Sequence, residues 1–454
     1  MEAAGSPTRK PTLDVDTSEV ERCVPCLCSS EHHWTIFGHA VRASAEGDSR
    51  LTIMSPPPST SSLSSSKSTC SCTSGSSSVV YSHEPFQIFA EKLRVLLQLH
   101  FANAYSDCTV VYRLQGGGFH RVMAADLLNG AVVIRIPRFE HVSLSDEAAV
   151  LSFIRNHSKI PVPRVLKVDT SPSNVLGAPY MIQTKVPGDK LCHIYPTMTY
   201  EEKRSVVKQV AHLLGQMSRI SMSSIGILRE GANDGQVVVG PFKDHPSPDE
   251  RGVHFSNGTT LLSFLTTRFN FYINYELNQN PRAQYVPSFM NAFLEAAQYI
   301  APVLNSRIVL HHSDFHSRNI MVARREGTGE YQVTALLDWD NTMAVPVEMA
   351  FSMPSFLWIE QAGDSDGAGE KLKHIERSRE LQNLFEDEIV KLIPDFLDIV
   401  QSSERARKLG WFAAYGLHGS HDAAAADRFL ESVGVKRVCM QRGKVVINVI
   451  DDNG

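Results

Sequence analysis

The sequence predicts an α+β chain in two lobes, a small one built on five antiparallel strands and a larger one that is mainly helical. Three observations carry that expectation. Between about residues 108 and 185, short apolar runs alternate with turn residues around a single helical stretch. Beyond residue 190 the apolar spacing lengthens to the helical period. Before residue 83 the chain holds too little apolar side-chain volume to offset its ordering entropy, most plainly in the Ser, Thr and Pro tract from Ser55 to Ser78. The expected division is a disordered tail over 1–82, a small lobe over 83–188 and a large lobe over 189–454.

The elements follow in order. Phe86, Phe89, Leu93, Leu96 and Leu97 recur at helical spacing. Residues 108–113 alternate as a first strand, and Gly116, Gly117 and Gly118 break it. Residues 119–127 and 131–137 form the next two strands, with Asn129-Gly130 between them as a type I′ hairpin signal. Residues 145–157 read as a helix with Ser145 as N-cap and acids in its first turn. Residues 163–168 and 180–185 complete the five strands, and Val186-Pro187-Gly188 ends the lobe. Thr199 and Glu202 make a capping box for a helix reaching about Ile220. Residues 261–275 and 287–304 are further helices. A strand pair over 320–323 and 331–337 follows, and helices resume from 353 to 433. Residues 436–449 form a short basic and apolar end packed on the surface.

The bulk numbers exclude several functions. A formal net charge of −5 argues against a general nucleic-acid binder. No apolar run approaches the roughly 18 residues of a membrane helix. The first residues, with Glu2, Asp14, Asp16, Glu19 and Glu21, fit neither a secretory signal nor a transit peptide, so the expected compartment is the cytosol. Cys23, Cys26, Cys28, His32 and His33 suggest zinc, but no second ligand pair sits at finger-like spacing.

The chemistry concentrates in Leu310-His311-His312-Ser313-Asp314-Phe315-His316-Ser317-Arg318-Asn319, which fits H-x-D-x-x-x-x-N before an apolar strand. Phosphoryl transfer to a hydroxyl needs a carboxylate beside the acceptor, and Asp314 suits that role. Asn319 offers an oxygen ligand for a metal on the phosphates, and His312 would brace the loop. A hairpin returns to Leu337-Asp338-Trp339-Asp340, where Asp338 ends an apolar strand as a magnesium ligand would. The small lobe adds Gly116, Gly117 and Gly118 to approach phosphates, Arg135 as a phosphate-contacting cation, and Glu147 as its partner on the helix. Gln183 to Val186, Lys185 included, form the hinge whose backbone meets adenine. A zinc site from His311, His312, Asp314 and His316 is the rival reading of the same loop.

With these residues assembled, the chain resembles the aminoglycoside phosphotransferase and choline kinase superfamily, and within it a large group of fungal proteins. The likeness covers about residues 105–430. It extends to Ile136-Pro137, Ile160-Pro161-Val162-Pro163, Val186-Pro187-Gly188, Ser224-Ile225-Gly226, Gly240-Pro241-Phe242 and Pro354-Ser355-Phe356-Leu357. It implies a bilobal protein-kinase-like fold, ATP with Mg2+, Asp314 as base, and Asn319 and Asp338 as metal ligands. Ser313 stands where the family often has Gly, His120 where Asn is common, and Arg135 where protein kinases have Lys. The expected activity is transfer of the γ-phosphate to a hydroxylated small molecule bound against the large lobe. Asp244, Asp249 and Glu250 could meet a cationic acceptor, and surface solvation accounts for them equally well. The competing expectation is a catalytically idle nucleotide-binding or scaffold protein. A protein kinase is disfavoured because no Ala-Pro-Glu-like motif follows Asp338.

Overall fold

The computed structural model describes residues 85–106, 109–114, 119–138, 142–233, 236–241, 260–279, 285–301, 307–359, 368–417, 420–435, 438–441 and 444–447. The expected tail over 1–82, the glycine turn 116–118 and the acids at 244, 249 and 250 lie outside these residues.

The first helix, α1 (Phe86–His100), buries Phe89, Ala90, Leu93, Leu96 and Leu97. Strands β1 (Val110–Arg113), β2 (His120–Leu127) and β3 (Gly130–Pro137) come next, followed by helix α2 (Leu144–His157) and strands β4 (Val165–Asp169) and β5 (Tyr180–Thr184). The five strands form one antiparallel sheet in the order β1-β2-β3-β5-β4. Strand side chains alternate between faces, and this sheet uses both. Met123, Ala125, Val132, Ile134, Ile136, Tyr180 and Ile182 pack with α1 in one core. Met181 points the other way, into the core that also takes Leu144, Val150, Leu151 and Ile154 of α2. By the same alternation Arg135 shares the α2 side of β3.

Two local expectations are corrected. Leu127 pairs with Gly130, so the hairpin loop is Leu128-Asn129 and Gly130, at φ +127°, already belongs to β3. Neither loop residue has the positive φ of a type I′ turn, a conformation that Leu resists. The cap of α2 is Ser143 and not Ser145. Ser143 is extended and its hydroxyl accepts from the Asp146 N–H, whereas Ser145 is already the second helical residue.

The remaining chain begins with β6 (Asp189–Lys190), α3 (Leu191–Ile194) and α4 (Tyr200–Ser218). The capping box is formed: Glu202 N–H donates to Thr199 Oγ1, and the Thr199 N–H donates to the Glu202 carboxylate. Then come β7 (Gly226–Glu230), β8 (Val237–Gly240), α5 (Leu261–Gln279), α6 (Tyr285–Ile300) and β9 (Ile308–His311). Strands β10 (Ile320–Arg324), β11 (Tyr331–Leu336) and β12 (Met343–Pro346) precede α7 (Val347–Ala350), α8 (Ala368–Leu392), α9 (Phe396–Ser402), α10 (Glu404–Tyr415) and α11 (Ser420–Ser432). A hairpin of β13 (Val438–Gln441) and β14 (Lys444–Ile447) occupies the expected basic and apolar end. Helices hold most of this core, with Phe293 packed between Phe269, Phe412 and Phe429.

Two small sheets position the loops of interest. One, ordered β11-β10-β6, joins the chain just after Gly188 to the strand pair anticipated at 320–337. The other, β8-β7-β12-β9, was not anticipated at all. Its central strands are short, and every residue of β9 and β12 is buried, so no alternation marks them. Helix α2 is tied to this sheet. The Arg229 guanidinium meets Asp146 at 3.2 Å and the Glu230 N–H donates to the same carboxylate at 2.9 Å.

Candidate active site

Between β9 and β10 the chain makes the loop that carries H-x-D-x-x-x-x-N. His312 is 1% exposed, and both its nitrogens have fixed partners. A carbonyl can only accept, so Nε2–H donates to Leu337 O at 2.8 Å. An amide can only donate, so Nδ1 accepts the Asp314 N–H at 3.1 Å. The ring is therefore neutral, and burial lowers its pKa further. Its ring lies 4.6 Å, centroid to centroid, from the Trp339 indole in a T-shaped arrangement, and the indole N–H donates to Leu336 O. His312 thus joins the loop to the end of β11. Ser313 adds a link that Gly could not make, donating its hydroxyl to Asp340 O at 3.1 Å.

Asp314 and Asn319 face each other within this loop. Asn319 Nδ2 donates to the Asp314 carbonyl at 2.9 Å and to Asp314 Oδ2 at 2.7 Å. That commits the amide nitrogen and leaves the amide oxygen as an acceptor or ligand. Arg318 grips the same carboxylate with two parallel bonds, Nε to Oδ2 at 3.0 Å and Nη2 to Oδ1 at 2.5 Å. The Asn319 carbonyl accepts from the Leu337 N–H, so the loop is held from both sides of Leu337.

Asp338 follows directly, at φ +65°, and its side chain is 46% exposed. Asn341 also has a positive φ, +55°. Asp and Asn tolerate this region better than most residues. These turns bring two carboxylates to Arg135. Its Nη2 lies 3.3 Å from Asp338 Oδ1 and 3.4 Å from Asp340 Oδ2, while Nη1 lies 2.6 Å from Glu147 Oε1. The Glu147 contact is a close charge contact without the alignment of a hydrogen bond. His120 Nδ1 accepts from Arg135 Nη2 at 3.0 Å, which requires a neutral ring; burial and Arg135 hold it well below its ordinary pKa.

Burial opposes the charge of Arg135, yet Glu147, Asp340 and Asp338 together outweigh it and keep the guanidinium charged. One cation among three acids leaves an excess of negative charge. Burial is the main force that pushes the Glu147 carboxyl well above its ordinary pKa; Arg135 pulls the other way, and Asp340 and Asp338 add to the rise. An exposed carboxylate at Asp338 and an uncommitted amide oxygen at Asn319 are donors of the kind a hard divalent cation takes. His120, Glu147 and Asp340 also bring one ligand atom each within 4.8 Å of one another, but the guanidinium shares that space.

The other anticipated residues divide. Gln183 is buried on β5, paired with Val133 and Val165, and its Oε1 has no partner. Lys185 turns its ammonium outward to the Tyr112 hydroxyl at 2.8 Å, away from the cluster. Its backbone N–H donates to Ala131 O at 2.9 Å. Gly116, Gly117 and Gly118 lie outside the described residues. Spacing did not single out Asp340, His120 as a cluster member, or Arg318. Asp340 could have been found from its place two residues after Asp338.

The zinc alternative is not supported by the geometry. Among the described residues, His120, Glu147 and Asp340 are the only three-ligand grouping of this kind, and none comes from the loop. His311 is buried beneath it, bonded to the Ala350 backbone, and burial pushes its pKa down to about 4. Nearby Glu348 has both carboxylate oxygens buried without a partner, and burial pushes it up to about 7. A carboxyl raised on folding stabilises fully below its unfolded pKa of 4.5, and loses that contribution as pH rises through 7. Glu348→Gln should therefore match wild type near pH 4.5 and gain on it by roughly 3 kcal/mol by pH 8. Urea unfolding across that range reads the difference, and a constant offset at every pH would contradict the assignment.

Comparison with known proteins then decides the family. Residues 113–365 match the model of the phosphotransferase enzyme family, APH. The chain belongs to that family. Its matched region runs from the end of β1 past the Asp338 turn, so it contains both clusters. Subtelomeric hrmA-associated cluster proteins from two strains of Aspergillus fumigatus are each 22% identical to it over 312 residues, covering 55% of this chain. The match spans 60% of the length of these curated relatives. Among solved structures, a thermostable mutant of aminoglycoside phosphotransferase APH(4)-Ia with AMP-PNP and hygromycin B is 17% identical. It aligns over 75% of this chain and 97% of its own, with a TM-score of 0.44. ADP-bound APH(2'')-Ib is 12% identical over 76% and 96%, with a TM-score of 0.43. Among the described residues, no helix is long and apolar enough to cross a membrane.

Proposed function

We propose that the chain is an ATP-dependent small-molecule kinase of protein-kinase-like fold, working in the cytosol. Residues 83–188 hold the nucleotide and 189–454 hold the catalytic loop and the acceptor. The observation that carries this reading is the junction at Leu337, whose carbonyl accepts from His312 and whose amide donates to Asn319. It sets Asp314, Asn319 and Asp338 on one frame. Asp338 and Asn319 would hold Mg2+, which would supply neutralisation of charge on the phosphates. Arg135, fixed by Glu147, faces the phosphates, and the backbone of Gln183 to Val186 meets adenine. Asp314 accepts the proton of a hydroxylated acceptor as its oxygen bonds to the γ-phosphorus and ADP leaves. The acceptor's identity is a separate question from the fold.

The test is thermal stabilisation by ATP with and without Mg2+, followed by ATP turnover against a panel of hydroxylated metabolites. Wild type should show a metal-dependent shift that Asp338→Ala loses. Asp314→Asn should keep the shift while turnover falls by roughly a hundredfold or more. A shift with no turnover on any acceptor would favour a nucleotide-binding scaffold, and no MgATP shift would sink the proposal.

A further inference from the structure

We infer that Arg318 is a positioning residue that decides which oxygen of Asp314 receives the acceptor's proton. The inference rests on the function proposed above and adds to it an atom-level assignment. A carboxylate offers about four lone-pair sites, two on each oxygen. At Asp314 three are taken. Oδ2 receives Arg318 Nε at 3.0 Å and Asn319 Nδ2 at 2.7 Å, and Oδ1 receives Arg318 Nη2 at 2.5 Å. The one site left is on Oδ1. An acceptor hydroxyl must approach that atom, and the proton passes to it as the acceptor oxygen bonds to phosphorus and the bond to the ADP oxygen breaks.

The bidentate grip also removes the freedom of the carboxylate to rotate. A planar guanidinium bonded to both oxygens fixes the carboxylate plane, which Asn319 alone, touching only Oδ2 and the backbone, does not. The Asp314 side chain is 12% exposed, so solvent does little to reorient it, whereas Arg318 is 33% exposed. Arg318 lies four residues after Asp314, in the single 3-10 turn Ser317–Asn319, and makes no contact with Arg135, Glu147, Asp338 or Asp340 among those described. Its loss should therefore leave nucleotide binding intact and disturb only the chemical step.

The experiment measures MgATP hydrolysis with water as acceptor for wild type, Arg318→Ala and Arg318→Lys. Arg318→Ala should lower kcat by roughly ten- to a hundredfold with KM for MgATP within about twofold of wild type, as expected for a misplaced catalytic group. Lys supplies one charge but not two parallel bonds and should fall between. Guanidinium chloride at millimolar concentration should restore part of the Arg318→Ala rate, which a purely structural defect would not allow. Unchanged kcat, or a loss confined to KM for MgATP, would overturn the inference. The crystal structure of Arg318→Ala gives a reading independent of turnover. Asp314 should there take more than one side-chain orientation, and a single unchanged orientation would overturn the inference even if wild type binds MgATP without turnover. Absence of any MgATP binding by wild type would instead remove the function on which it rests.

Discussion

Arg135→Ala is expected to be among the most damaging single changes in the protein, costing roughly 3–5 kcal/mol of stability together with MgATP binding. The guanidinium is buried and is the cation shared by Glu147, Asp338 and Asp340. Removing it leaves three acids facing one another, one of them fully buried. Most of the loss should therefore come from uncompensated charge and not from lost packing. That origin is separable: Arg135→Ala combined with Glu147→Gln should recover part of the stability, because the deepest of the three charges is then absent. Arg135→Lys should fare better than alanine, though an ammonium cannot reach Glu147 and both aspartates in the geometry of the fork. Urea midpoints measure all three variants. A loss below about 1 kcal/mol for Arg135→Ala would place the cluster with weakly coupled surface ion pairs.

The second large effect is expected at Gly188. Gly188 has φ +94°, and a Cβ there would lie 2.1 Å from Val322 O and 2.9 Å from Ala323 Cβ. The close approach is what pairs Asp189 with Val322, bringing the segment after β5 against β10, the strand that follows the Asp314 loop. Thr334 holds the same corner, donating its hydroxyl to Pro187 O. Gly188→Ala must displace backbone and not merely a side chain, so a cost of roughly 3 kcal/mol or more is expected with weakened MgATP binding. Gly177 provides the control, since it too has positive φ, +69°, but open space around its Cβ position. Gly177→Ala should cost only the conformational strain, roughly 1–2 kcal/mol. Equal losses at the two positions would show that the approach to Val322 is not what Gly188 provides.

These two sites show what the sequence could and could not disclose. Strands β2, β3 and β5 were legible because turn residues bound their apolar runs, at Gly116–Gly118, Asn129-Gly130 and Val186-Pro187-Gly188. Strands β9 and β12 are four residues each and buried throughout, and no alternation marks them. In the candidate site, spacing suggested that Glu147 could pair with Arg135, and the two side chains meet in the folded chain. It could not anticipate Arg318, which occupies one of the unspecified positions inside H-x-D-x-x-x-x-N. Its side chain becomes informative only once the loop closes a turn and returns it to Asp314. The convergence of Asp338 and Asp340 on one guanidinium was equally hidden, because it depends on the left-handed turns at Asp338 and Asn341. His120 looked like a departure from a family pattern, and in the folded chain it supplies an acceptor to Arg135. The cap of α2 was misplaced by two residues because two serines near the helix start satisfy the same rule.

The attachment of α2 to β7 through Asp146, Arg229 and the Glu230 amide has a thermodynamic consequence. The apolar side of α2 is buried in the larger of the two cores, so Glu147 reaches its place when the chain folds. The entropy of ordering that helix is lost once, at folding, and is not deducted again from the affinity of a ligand that uses Arg135. Arg135 and Glu147 already stand paired in the folded chain, so a ligand that used Arg135 would not have to order them, and its binding energy would remain available for the groups that still have to move.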